Sequence, residues 1–262
     1  MTSKIGCTLS LQVLGIVGLF VVSTPRKLEA QAQGLFVDDP RPVAAMVDEL
    51  ERRFGWVVTY EDPAWLYEGD RVDVTTAVRL DNGPRPVFVP RGGPLAVSYD
   101  LAESGKDPLQ VVNVVLAEHR RAGYPGVFTV VKQDGMLHVI PIAVRDRQGE
   151  ARSWTSPLSI PVSLPDVADE TAFLRIQRIV DAVGRVSGVE IALGAVPTAL
   201  LARSKVPAGP AEGNARSLMA QALSATRTAL TWRLLYAPDA ARWFLNVHAV
   251  DRPHIGTPPK QR

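Results

Sequence analysis

The chain has 262 residues, enough for one or two domains with a buried core. Hydrophobic residues make up 46% and charged residues 21%, a globular balance that excludes wholesale disorder. The first 32 residues hold three basic and one acidic side chain, which leaves 26 basic and 26 acidic side chains in the remainder. With no net charge there, we expect neither nucleic acid nor an anionic membrane surface as a partner.

The N-terminal segment has the three parts of an export signal. Lys4 precedes an apolar run at residues 5–22, and the small-x-small sequence Ala30-Gln31-Ala32 follows. We predict a signal peptide over residues 1–32, cleaved after Ala32, and a periplasmic or secreted location for the rest. The alternative is an uncleaved N-terminal anchor, because the run approaches the length of a membrane span.

The single cysteine, Cys7, lies inside this predicted signal segment. The exported part would therefore have no disulfide, cysteine nucleophile or cysteine metal site. A chain without cysteine fits an oxidising envelope compartment.

Residues 33–144 are predicted to form a first α+β module. A strand at 35–37 is followed by an apolar stripe of helical spacing that ends at Gly55. Asp107 and Pro108 are suited to cap and begin a second helix. The other predicted elements are strands at 56–60, 71–78, 87–89 and 95–101, and a hairpin at 127–132 and 136–142 around Gln133-Asp134-Gly135.

The same order of elements returns at residues 158–251, a predicted second module that follows a polar linker at 145–157. Asn214 is suited to cap its second helix. A proline-containing tail at 252–262 is predicted to be disordered. The predicted elements are a strand at 159–164, a helix at 170–186 that ends at Ser187-Gly188, a strand at 189–193, an extended stretch at 204–206, the capped helix, and a hairpin at 230–236 and 243–250.

Three segments of the second module carry a family resemblance: 200–206, 215–223 and 230–233. A helix that ends in glycine before a hydrophobic strand, then a leucine-rich helix that leads into a hairpin, is similar to the secretin and TonB short N-terminal domain (STN-like domain) and to secretin N-domains. The resemblance implies two tandem small periplasmic βαβ–βαββ modules, each with two helices on its own small sheets, and a role in protein–protein contact. It assigns no functional residue, and it implies neither a pore nor a receptor.

The histidines form no recognisable catalytic or metal motif. His119, His138, His248 and His254 include no pair at i, i+4 spacing. Glu118 and His119 are adjacent, but neighbours on a helix point in different directions, so we predict a solvated last turn. His138 and His248 occupy comparable places on the last strand of each hairpin, which we interpret as two half-exposed positions.

Three residues of the irregular stretch 61–94 are candidates for a ligand or partner surface. Trp65 and Tyr67 could bind a sugar or a peptide, although strand aromatics lie more often in the core. Arg91 begins the loop Arg91-Gly92-Gly93, whose backbone could bind an anion. Because no Lys-Ser/Thr pair or helix follows, a turn is the preferred interpretation.

The sequence thus predicts an exported, non-enzymatic α+β protein that contacts an envelope protein partner and uses no cofactor or metal. The physical route would be an exposed sheet edge or a flat helix–sheet face. Two alternatives stay open. One is an exported, hydrolase-like enzyme with a site between the modules, and the other is a glycan- or peptide-binding module.

Overall fold

The computed structural model describes residues 32–78, 86–100, 107–209 and 211–250. The predicted signal peptide and the predicted disordered tail lie outside these residues, except for Ala32, where the first strand begins. The predicted cleavage and the order of the tail therefore stay predictions.

The first half contains both helices and strands. A 3₁₀ turn at Glu68–Asp70 precedes its third strand. Its elements are, in chain order, β1 (Ala32–Asp39), α1 (Pro42–Phe54), β2 (Val58–Glu61), β3 (Arg71–Asp73), α2 (Thr75–Val78), β4 (Phe88–Pro90), β5 (Gly93–Asp100), α3 (Pro108–Arg121), β6 (Val127–Gln133) and β7 (Met136–Arg145).

The second half has a similar composition. A 3₁₀ turn at Pro157–Ser159 follows its first short strand. Its elements are β8 (Ala151–Ser153), β9 (Pro161–Leu164), α4 (Ala172–Ser187), β10 (Ile191–Leu193), α5 (Thr198–Arg203), β11 (Ala211–Asn214), α6 (Ala215–Ser224), β12 (Leu230–Ala237) and β13 (Arg242–Ala249). Helices and mixed sheets occur together, so the predicted α+β class is confirmed.

Local side-chain chemistry sets the helix ends where the sequence predicted them. Gly55 ends α1 with φ 67° and Gly188 ends α4 with φ 71°, a left-handed conformation that favours glycine. The Asp107 carboxylate accepts a hydrogen bond from the Leu109 N–H at 3.0 Å at the start of α3. Asn214 caps α6 in the same way.

Seven strands form one sheet in the order β10-β13-β12-β2-β7-β6, with β8 beside β7. In each half, the strand after the first helix pairs in parallel with the second strand of the hairpin: β2 with β7, and β10 with β13. Between the halves, β12 pairs in parallel with β2 through Arg233↔Tyr60 and Leu234↔Glu61. The two halves therefore share one continuous sheet, which corrects the expectation of separate sheets. The reason is that β2 has a second edge free after pairing with β7, and β12 occupies it.

Each half also has a small antiparallel ribbon that packs on its helices. In the first half, α1 and α3 contact the ribbon of β1 and β5 and also the strands β2 and β6 of the large sheet. In the second half, α4 and α6 contact the ribbon of β9 and β11 and the strands β10 and β12. A third ribbon joins β3 and β4.

The helices of the two halves cover opposite faces of the large sheet. The Tyr60 ring lies 5.5 Å from the Phe128 ring, which contacts His119 of α3. The next residue of β2, Glu61, points to the opposite face and pairs with Arg216 of α6. Successive residues of β2 thus contact the helices of the first half on one face and those of the second half on the other.

The structure corrects two other predicted elements and adds one helix. The stretch 145–157 is not only a linker, because it contains β8 and places Trp154 on the Trp243 ring at 6.2 Å. The predicted strand at 71–78 is divided into β3 and α2, since Asp73 caps the Thr75 N–H at 2.8 Å. Helix α5 was not predicted, because six residues are too few to show a helical period.

Among the described residues, no helix combines the length and the apolarity that a membrane crossing requires.

The cap of α3 predicts a measurable stability difference. Asp107→Ala removes the acceptor for the Leu109 N–H, so we expect a loss of about 1 kcal/mol in the free energy of unfolding. Asp107→Asn keeps an acceptor and should lose much less. Urea unfolding of both variants tests this, and equal losses would show that the cap contributes nothing specific.

Candidate functional site

Of the three residues predicted to form a ligand or partner surface, Trp65 is enclosed in the core, while a role for Tyr67 and Arg91 stays a prediction. Trp65 is only 2% exposed and lies in the core with its ring 6.5 Å from the Phe128 ring. The irregular backbone around it suggested exposure, but its side chain packs against Phe128 and close to Gly126. Tyr67 is half-buried, with the Arg145 guanidinium 4.9 Å from its ring centroid.

Arg91 is exposed, but its loop is a packed turn. The Arg91 N–H donates to the Asp70 carbonyl at 2.7 Å. A Cβ at Gly92 would lie 2.4 Å from the Pro40 carbonyl oxygen, so close backbone packing requires glycine here. This explains the glycine without an anion and agrees with the preferred interpretation of a turn.

Two histidines expected near solvent are buried instead. His119 is 3% exposed, and burial, with a smaller effect of Arg120, lowers its pKa to about 4. It is therefore neutral at physiological pH and packs against Phe128. His138 is fully buried, and its Nδ1 lies 2.9 Å from the Thr59 hydroxyl. Burial lowers its pKa too, helped by the nearby Arg216.

Strand aromatics behave as the sequence suggested. Tyr60, Trp232, Tyr236 and Trp243 are all buried. They pack within the sheet core, and so they offer no exposed stacking surface to a sugar.

Buried charged groups concentrate where the two halves meet. Glu61 and Asp62 are both 0% exposed. Arg216 of α6 binds both carboxylate oxygens of Glu61, at 2.7 and 2.8 Å, and the Ser156 hydroxyl also donates to Glu61. Every oxygen of this buried carboxylate thus has a donor.

Asp62 is satisfied from the other face. Its Oδ2 accepts from Arg41 Nε at 2.8 Å and from the Tyr236 N–H at 2.9 Å, and its Oδ1 accepts from the Tyr60 hydroxyl at 2.7 Å. Burial, with the adjacent Asp62, raises the pKa of Tyr60 well above its usual value, so the phenol stays protonated and donates.

A third group of charged side chains differs from those around Glu61 and Asp62 because solvent can reach it. Asp48 and Glu51 lie three residues apart on α1, and Arg233 Nη2 of β12 lies 2.7 Å from an oxygen of each. His248 Nε2 of β13 lies 3.0 Å from Glu51 Oε2. Asp48, Glu51 and His248 line a cavity of about 350 Å³ together with Arg52, and Arg233 lies behind the two carboxylates. We call this set the α1–β13 cluster.

The α1–β13 cluster has the residue types of a metal site but no side-chain nucleophile on the walls of its cavity. A buried carboxylate beside an imidazole resembles the base and orienting acid of a catalytic triad. The residues around this cavity are Asp48, Glu51, Arg52, His248, Ala249 and Val250, without a hydroxyl or thiol nucleophile. Two carboxylates and one imidazole are, however, ligands that transition metals accept.

Three other cavities of the described residues give no better site. One of about 550 Å³ lies beside α6 and includes Arg175, whose guanidinium already pairs with the buried Glu170. Tyr60 and His119, which both have shifted pKa values, share a cavity of only about 10 Å³, too small for a substrate. An apolar groove of about 210 Å³ lies near the start of α3 and includes Trp56, Leu109 and Met136.

The chain matches no protein-family model, no curated protein and no solved structure. The resemblance to secretin and TonB short N-terminal domains therefore stays a prediction.

The sequence did not predict the pairing of β2 with β12 and its buried charges, which we call the joint, or the α1–β13 cluster. The sequence signal for the joint was the pair Glu61-Asp62 directly after an apolar, aromatic strand. Acidic residues at that place are expected to be paired when the strand is central. No sequence signal linked Glu51 to His248, since the two are 197 residues apart.

The Glu61–Arg216 pair predicts an asymmetry between single and double variants. Arg216→Met leaves Glu61 buried without its cation, so we expect a loss of about 3–5 kcal/mol in the free energy of unfolding. Adding Glu61→Gln to the same chain should recover a large part of that loss. Urea unfolding of the single and double variants tests this, and strict additivity of the two changes would contradict it.

His119 predicts a pH dependence of stability. Its folded pKa is about 4 and its ordinary value 6.5, so between these pH values the unfolded chain binds more protons than the folded one. The stabilisation is complete above pH 6.5 and is lost as pH falls toward 4, by roughly 3 kcal/mol at most. His119→Leu should flatten the stability profile in this window. An unchanged slope in that variant would refute the assignment.

Proposed function

We propose that the protein is an exported, non-enzymatic contact protein of the cell envelope that binds a partner chain by strand addition at β6. Within the described residues, β6 is an outer strand of the large sheet and pairs only with β7. Its hairpin turns through Asp134-Gly135, with Gln133 opposite Met136. In that register, Val130 and Lys132 direct their backbone N–H and C=O groups away from β7.

The observation that carries this proposal is that the corresponding edge of the second hairpin, the outer edge of β12, already pairs with a strand of the same molecule, β2. β12 is the first strand of the second hairpin, as β6 is of the first, and its outer edge binds β2. The Leu234 carbonyl accepts the Asp62 N–H at 2.7 Å. Leu234 corresponds to Val130 when the two hairpins are aligned on their parallel partner strands. The same backbone edge is therefore available at β6.

The surroundings of β6 favour a short and selective contact. A bulge at Val127/Phe128 and the exposed Lys132 restrict indiscriminate pairing along the edge. The apolar groove that includes Trp56 and Leu109 reaches Lys132. We infer that a partner strand places an apolar side chain in this groove while its backbone pairs with β6.

Support for the non-enzymatic part comes from the cavities described above. Among them, the cavity that holds Tyr60 and His119, two groups with shifted pKa values, has no room for a substrate. The predicted signal peptide supplies the envelope location.

Photo-crosslinking in cells tests the contact. A photoreactive amino acid in place of Lys132 should give a discrete adduct, because this exposed residue lies on the free edge. The matched control carries the same amino acid in place of Arg185, an exposed residue of α4. No adduct at the Lys132 position, or the same adducts at both positions, would contradict strand addition at β6.

The partner identified in this way permits a backbone test. Lys132→Pro removes an outward N–H, while Lys132→Ala removes only the side chain. We expect the proline variant to bind the partner about tenfold more weakly than the alanine variant, consistent with one lost hydrogen bond. Equal affinities would place the contact elsewhere.

A further inference from the structure

We propose that Asp48, Glu51 and His248 bind a divalent transition metal ion, with zinc as the best match. One carboxylate oxygen from each acid and one ring nitrogen of the histidine lie within 4.8 Å of one another. Asp48 and Glu51 project from the same side of α1, and His248 comes from β13. The site is independent of strand addition at β6 and would link the two halves of the chain.

The spacing of the donors suits a metal. His248 Nε2 and Glu51 Oε2 are 3.0 Å apart. An ion at about 2.0–2.2 Å from a nitrogen and an oxygen ligand holds those two atoms at roughly this separation. The metal can therefore replace the proton between them with little movement of either side chain. The Asp48 side chain is 59% exposed, so a metal ion can reach its carboxylate from solvent while Arg233 holds Oδ1.

Arg233 is compatible with this arrangement. Its guanidinium hydrogen-bonds Oδ1 of Asp48 and Oε2 of Glu51. Oδ2 of Asp48 accepts no hydrogen bond from the described residues, and each carboxylate oxygen has two acceptor sites. Arg233 would thus orient both carboxylates from the buried side, as outer partners of metal ligands commonly do. Its positive charge offsets one of the two negative charges, which limits the affinity.

The ligand set and its access decide the type of ion. Imidazole with carboxylates suits zinc and related transition metals, while magnesium prefers a shell of oxygen atoms. The His248 side chain is 41% exposed, and the cavity of about 350 Å³ leaves room for water to complete the coordination. Three protein ligands and an open position are typical of accessible zinc sites.

Calorimetric titration of the full chain, without a histidine tag and freed of metal by a chelator, tests the site. We expect one equivalent of Zn²⁺ to bind, with no comparable binding of Mg²⁺. His248→Gln should weaken zinc binding at least tenfold, because an amide is a poor ligand. Asp181→Asn, which alters an exposed acid on α4, should leave the affinity unchanged.

The glutamine variant also separates ligand loss from misfolding. Its side-chain amide can still donate to Glu51, so its melting temperature without metal should equal that of the wild-type chain. Added zinc should raise the melting temperature of the wild type only. No zinc binding by the wild type would overturn the proposal, because there would be no site. Equal zinc binding by His248→Gln would place zinc elsewhere, for example at His254. Equal binding of Mg²⁺ would show that the site lacks the selectivity of an imidazole ligand.

Discussion

The joint between the two halves depends on buried carboxylates that bind guanidinium groups. The backbone ladder between β2 and β12 spans only Arg233↔Tyr60 and Leu234↔Glu61, which is too short to fix the halves by itself. Glu61 and the next residue, Asp62, are both excluded from water, and each has its own arginine. A buried carboxylate without a cation would cost several kcal/mol, so alternative registers of the two strands are strongly disfavoured.

The alternation of side chains along β2 determines which face of the sheet each half covers with its helices. Because neighbouring residues of a strand point to opposite faces, Glu61 is bound to α6 and Asp62 to Arg41 before α1. The helices of the two halves consequently cover opposite faces. The two hairpin edges then differ in their use: β2 occupies the edge of β12, while no strand of the described residues pairs with the outer edge of β6.

The sequence predicted the elements whose causes are local. Gly55 and Asn214 each act on backbone within a few residues, and both helix ends lie where they indicated. It failed where packing over long separations decides. His119 was expected in a solvated turn, yet Phe128 and the sheet bury it. The pair Glu61–Arg216 joins residues 155 apart, and no periodicity in a single sequence connects them.

Solvent exposure separates the histidines that belong to the core from the one that could bind a ligand. His138 and His119 are enclosed, so their polar atoms can serve packing and hydrogen bonding but cannot meet a ligand from solvent. His248 has a carboxylate beside it and solvent in front of it. The same helix that supplies Glu51 to Arg233 thereby presents Asp48 and Glu51 to His248. Arg233 of β12, next to the pairing with β2, orients the carboxylates of Asp48 and Glu51. The only accessible acid–histidine group in the described residues therefore exists because the two halves share one sheet.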